Sequence, residues 1–376
     1  MTRHRTLMRL LTAPLALSAA VFVAVLADVA APPPASAQQY GVGASATAPT
    51  VAPQAWAAYR EKFLAPDGRI VDTGNGDISH SEGQGYGLLL SVAADDRATF
   101  EQIWTFTLTQ LLIRDDGLAA WKWVPDADPH IADINTATDG DILIAWALLK
   151  AAERWGIDRY RDHAQRMAQT IGKTLIIQEG RMNLILPGSQ GFTKADRPDG
   201  PVVNPSYWVF QALEAMKALD PQTDWSAVRA SGLILLKEAQ FGTFRLPSDW
   251  VSMQANQPPR PAEGFEPEFG YNSIRIPLYL IQAGITDTTL LEPYDKAWNQ
   301  SGAGRPAVVN VTTDQIMQQL DDPGYRIQAA LVACALRQTP IPSDLKTFQP
   351  TSYYPSSLQL LALSVASESY PRCLGT

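Results

Sequence analysis

The chain has 376 residues, with 38 acidic and 30 basic side chains and a formal net charge of −8. Apolar residues make up 46%, enough for a sizeable core, which excludes a largely disordered chain. There is no basic stripe for nucleic acid, because the one basic cluster lies at the extreme N-terminus.

In chain order, Arg3, Arg5 and Arg9 precede an apolar run from Leu10 to Leu26, and Ala35-Ser36-Ala37 forms a small-x-small cleavage site before Gln38. This is the pattern of a secretory signal peptide over residues 1–37, so the mature protein is expected to be secreted or periplasmic after cleavage near Ala37. The run is short for a span and contains Pro14, so no stable membrane anchor is expected. Residues 38–52 read as a flexible linker and 53–376 as one domain.

From there a helix–loop–helix rhythm repeats. Apolar residues at i, i+3, i+4 and i+7 predict helices near 53–64, 83–94, 97–112, 140–155, 159–175, 205–218, 225–238, 272–284, 287–298, 313–320, 323–336 and 354–367. That makes an all-α domain of about twelve helices. The best hairpin candidate is "IIQEGRMNLI" within 176–186. Long loops at 113–138, 176–204 and 239–271 hold much of the Trp, Pro, Gly and Asp, and long ordered loops on a helical scaffold carry function. The two cysteines, Cys334 and Cys373, either form a disulfide tying the tail to a helix or stay unpaired; both alternatives stand. His80, His130 and His163 are far apart in sequence and there is no CxxC, so neither a metal site nor a cofactor is expected.

Two stretches carry the chemistry. In "DISHSEGQGYGLLLS" (77–91), Ser79 and Glu82 have the S-x-x-E spacing of a capping box. Yet Gly83, Gly85 and Gly87 follow, each costing about 1 kcal/mol relative to Ala in a helix. They need a reason: close packing, or a bare backbone beside a ligand. In "NTATDGDILIAWALLKAAERW" (135–155), Asp139 and Asp141 open a helix, with Thr138 or Thr136 as candidate cap. Dipole compensation explains one Asp, but not two flanking a glycine beside the Trp-rich "DDGLAAWKWVPD".

"SEGQGYG" with "ATDGDILIAWALLKAAERW", followed in order by "NPSYW" (204–208), "LPSDWV" (246–251) and "FGYNSIRIPLYL" (269–280), resembles glycoside hydrolase family 8. The chain looks most like the secreted endoglucanases that accompany bacterial cellulose synthesis. The resemblance covers nearly all of the mature chain. It implies an (α/α)6 barrel, an open cleft for β-1,4-glucan, an inverting mechanism and a functional link to cellulose synthase machinery.

An inverting glycosidase needs a protonated carboxyl group and an ionised one roughly 6.5–9.5 Å apart, with a water between. The resemblance assigns the acid to Glu82 and central-subsite sugar binding to Asp139. Asp141 is expected to be structural. A carboxyl at a helix N-terminus has its pKa lowered by the dipole, so the donor needs burial or a neighbouring carboxylate, for which Asp139 is placed. The family's usual base is the Asp of a Tyr-Asp pair, where this chain has Tyr271-Asn272. An amide accepts no proton at useful pH. Candidates for the base are therefore Asp249, Glu263, Glu266 and Glu268, with Asp249 favoured beside Trp250 and Asn272 left to orient the water. Tyr86, Trp121, Trp123, Tyr207, Trp208 and Trp250 are candidate sugar platforms, and Arg275 is expected to pair with a site carboxylate. The leading expectation is an endo-β-1,4-glucanase. The alternatives are a chitosanase, xylanase or mixed-linkage glucanase of the same family, or a glucan-binding factor that lacks the usual base.

Overall fold

A computed structural model describes residues 48–302 and 304–375. The expected signal peptide, and the linker as far as residue 47, lie outside them. The last linker residues are held to the domain: the Thr50 and Val51 amides donate to the Ala93 carbonyl.

Thirteen α-helices occur among the described residues: α1 (Pro53–Phe63), α2 (Ser81–Ala93), α3 (Arg97–Phe106), α4 (Thr138–Trp155), α5 (Asp158–Thr174), α6 (Phe210–Leu219), α7 (Trp225–Glu238), α8 (Ile276–Gln282), α9 (Thr288–Gly302), α10 (Pro323–Arg337), α11 (Ser343–Lys346), α12 (Tyr353–Ser369) and α13 (Pro371–Leu374). The even-numbered helices from α2 to α12 each pack on the next, and α12 returns to α2. Outside this ring, α1 lies on α12, α3 on α2, α5 on α4 and α6, α7 on α6, and α9 and α11 on α10. Six helices inside six make an (α/α)6 barrel.

The sequence separates the two layers. Inner helices α2, α4 and α12 bury most of their side chains on every face, as a largely enclosed helix must. Outer helix α5 buries only the stripe Tyr160, Ala164, Met167, Ala168 and Ile171. The glycines of α2 serve this packing. A Cβ on Gly85 would stand 2.6 Å from the Leu143 Cβ, and one on Gly87 2.6 Å from Ile70 Cγ1. Of the two reasons for the glycines, close packing holds at both positions.

The hairpin expected in 176–186 forms, with Ile176–Glu179 antiparallel to Met182–Ile185. The helix expected near 313–320 does not. Ile316–Gln319 is a strand paired with Ala307–Asn310. β-Branched Val308 and Val309 run into a turn where Asp314 takes φ 60°, and this turn chemistry overrides the weak helical spacing. The short helices α11 and α13 were not expected. Cys334 and Cys373 form a disulfide with Cα atoms 5.8 Å apart, tying α13 to α10.

Candidate active site

The N-terminal ends of all six inner helices converge on one cavity of about 620 Å³. Glu82 comes from the first turn of α2, Asp139 from α4, and Tyr207 from the turn before α6. Asn272 and Arg275 lead into α8, Tyr325 opens α10, and Tyr353 and Tyr354 open α12. Helix N-termini favour negative charge, so this end of the barrel suits carboxylates. In the ring, α8 stands opposite α2, which puts Asn272 across the cavity from Glu82.

Close backbone approach brings the two acids together. A Cβ on Gly140 would lie 2.1 Å from the Ser81 Oγ and 2.8 Å from the Glu82 amide nitrogen. Only glycine lets the starts of α2 and α4 touch there. The capping box is not formed. His80 is the cap of α2, the Gly83 amide donating to its Nδ1 at 3.0 Å, while the Ser79 hydroxyl donates to the Ile70 carbonyl at 2.6 Å. The tight junction with residues 69–72 takes Ser79 away and frees Glu82 to turn inward. Neither Thr caps α4. Thr138 donates to the Leu186 carbonyl and Thr136 to Asp141.

Arg275 organises the acids. Its Nη1 donates to Glu82 Oε2, and its Nη2 donates to Asp139 Oδ2 at 2.7 Å and to the Ser206 Oγ at 2.9 Å. The guanidinium is buried at 1% exposure. Two carboxylates around one guanidinium leave an excess negative charge, which one proton neutralises. Asp139 is accordingly pushed up to about 6, by burial first, against the pull of Arg275 and with the help of the Glu82 charge. Asp141 is structural, as expected: it accepts from the Ala119 amide at 2.8 Å and from the Thr136 hydroxyl. Burial pushes its pKa up to about 7.

Asp249 lies behind the cavity wall at 3% exposure. Its Oδ1 accepts from the Gly270 and Ser273 amides at 2.9 and 3.0 Å, and its Oδ2 accepts from both nitrogens of Asn272 at 3.2 Å. Of these partners, Asn272 lines the cavity. Glu263, Glu266 and Glu268 also lie outside the lining.

Of the expected platforms, Trp121 and Tyr207 line the cavity. Trp121 is steadied by an indole bond to Asp133 at 2.8 Å. The others do not line it, and each has another occupation. Tyr86 shares a 2.6 Å hydrogen bond with Tyr279 in the core. Trp123 stacks on His130 and carries Arg69 over its ring. Trp208 is buried, with its indole donating to the Val228 carbonyl. Trp250 stacks on Phe192 and Phe265. Sequence reasoning missed Asp72, Tyr271, Tyr325, Tyr353 and Tyr354, all in the lining. The signal was the aromatic pair Tyr353-Tyr354 heading a predicted helix. Among the described residues no group of three or more His, Cys, Asp or Glu forms a metal cluster.

Residues 36–368 match the family model for glycosyl hydrolases family 8. The chain is 38% identical to an endoglucanase of Cellulomonas uda over 72% of this chain and 76% of that one. It is 35% identical to a probable endoglucanase of Novacetimonas hansenii, over 85% and 92%. Its fold matches endo-β-1,4-glucanase CMCax from Acetobacter xylinum with a TM-score of 0.77 at 34% identity, covering 85% of this chain and 99% of that one.

Proposed function

We propose that this chain, which belongs to glycosyl hydrolases family 8, hydrolyses internal bonds of a β-1,4-glucan with inversion at the anomeric carbon. It is a glycoside hydrolase of the endoglucanase kind. The observation that carries the mechanism is the Glu82–Arg275–Asp139 cluster at the floor of the cavity. Glu82 donates the proton to the leaving glycosidic oxygen. Asp139, held beside Glu82 by Arg275, binds the sugar at the point of cleavage. Trp121 and Tyr207 line the cavity and offer apolar faces to sugar rings. No metal enters this reading.

An endo-acting enzyme lowers the viscosity of a soluble cellulose derivative early, ahead of the rise in reducing ends. Binding of glucan with no release of sugar, matched by equal binding in Glu82→Gln, overturns the reading in favour of a binding factor. Export is part of the proposal, and the Cys334–Cys373 disulfide supports it, since such bonds persist in oxidising compartments. A place beside cellulose synthase rests on the sequence resemblance. Cellulose yield in a strain lacking this chain tests it.

A further inference from the structure

Inversion requires a proton acceptor across the cavity from Glu82. Glu82 and Asp139 are both engaged by Arg275. The remaining carboxylate in the lining, Asp72, faces His80 Nε2 at 3.4 Å and accepts the Gly74 amide at 3.1 Å. The wall opposite α2 presents Asn272, an amide.

We propose that the attacking water loses its proton to Asp249 through the side-chain amide of Asn272. This rests on the inverting-hydrolase reading above. Asp249 accepts hydrogen bonds and cannot donate them when ionised, so it fixes which end of the amide faces it. Nδ2 points back to Asp249 Oδ2 at 3.2 Å, and Oδ1 is turned the other way. Among the described residues no donor to that Oδ1 is found, and Asn272 lines the cavity. The carboxylate is itself immobilised by the Gly270, Asn272 and Ser273 amides. A carboxylate, an amide and an open acceptor thus stand in line from the interior to the cavity.

The step balances. The water oxygen bonds to the anomeric carbon, and its proton passes to Asn272 Oδ1 while the Nδ2 proton passes to Asp249 Oδ2. The bond from the anomeric carbon to the leaving oxygen breaks, and that oxygen takes the proton of Glu82. Asn272 is left as its imidic acid. The resting state returns when Asp249 gives its proton back to Nδ2 and the Oδ1 proton leaves to solvent, with Glu82 reprotonated. A second carboxylate, Glu268, stands in this corner. A Cβ on Gly270 would lie 2.9 Å from Asp249 Oδ2 and 3.0 Å from Glu268 Oε1, so both groups crowd one glycine. Glu268 has its pKa raised, by burial and then by the Asp249 and Glu266 charges.

The test is an exchange of the two side chains, with kcat read on one soluble β-1,4-glucan. Asp249→Asn lowers kcat by about 10²–10⁴-fold, the span of a general base. The double exchange Asp249→Asn with Asn272→Asp keeps the carboxylate–amide hydrogen bond but sets the carboxylate at the cavity, and it recovers kcat to within about tenfold of the unaltered chain. A purely structural Asp249 predicts that the double exchange is as impaired as the single. That result, or an Asp249→Asn variant that keeps its kcat, overturns the relay. Azide gives a second readout in Asn272→Ala: it restores turnover and yields the α-glycosyl azide if water activation is what was lost, and failure of that rescue contradicts the relay. An unaltered chain that releases no sugar overturns the glucanase reading instead, so the two failures are distinct.

Discussion

Gly140 and Ser81 touch so closely that a methyl group on the glycine would overlap the serine hydroxyl, 2.1 Å from its oxygen. This contact joins the first turns of α2 and α4, and with them Glu82 and Asp139. Gly140→Ala is expected to force these helix starts apart, costing about 1–3 kcal/mol as overpacking does. It should lower kcat by more than the stability loss explains. Denaturant unfolding alongside kinetics checks both effects.

Arg275 is the counter-charge that two carboxylates share in a buried place. Arg275→Leu leaves them without a counter-charge and should destabilise the fold by about 3–5 kcal/mol. Arg275→Lys keeps the charge but cannot fork to both acids. It should retain more stability than Arg275→Leu while still losing most of kcat. Urea midpoints and initial rates of the two variants separate charge from geometry.

Asp139 sets an alkaline limb of activity. Burial raises it to about 6, so it gives up its proton, and kcat should fall, as pH rises through about 6. Asp139→Asn removes that titrating group. The limb near pH 6 should disappear, together with a loss of kcat. A pH–rate profile of both proteins reads this directly.

Asp141 predicts a pH dependence of stability distinct from that of activity. Its pKa is higher in the folded chain, about 7 against an ordinary 3.8. A carboxyl raised on folding binds its proton more tightly in the native state. Its contribution is complete below the unfolded value and is lost as pH rises through about 7. The full change is on the order of 4 kcal/mol. Asp141→Asn keeps an acceptor for the Ala119 amide without the charge. It should flatten the stability profile between about pH 4 and 7 and equal or exceed the unaltered chain at pH 8.

How far the residues spoke for themselves depended on the kind of contact. The helix count was legible because apolar residues recur at helical spacing, as in the stripe of α5, and the barrel arrangement was implied by the family resemblance. Glu82 and Asp139 were legible because acids beside glycines at helix starts have few structural uses, and the family resemblance covered their motifs and that of Arg275. The platforms were not. Trp123 and Trp250 look like Trp121 in sequence, and only the fold shows His130 stacked on Trp123 and Phe192 and Phe265 stacked on Trp250. His80 displaced Ser79 as a cap because a contact nine residues back, at Ile70, claimed the serine. Tyr325, Tyr353 and Tyr354 enter the cavity only because α10 and α12 close the ring. Pairings between segments far apart in sequence leave no periodic trace.

The central claim is direct displacement by water, with Glu82 as the acid. NMR of the first anomer released from a soluble β-1,4-gluco-oligosaccharide, recorded before mutarotation, tests it most directly. The account predicts the α anomer from the unaltered chain and no product from Glu82→Gln. A β anomer, or undiminished release by Glu82→Gln, would contradict it.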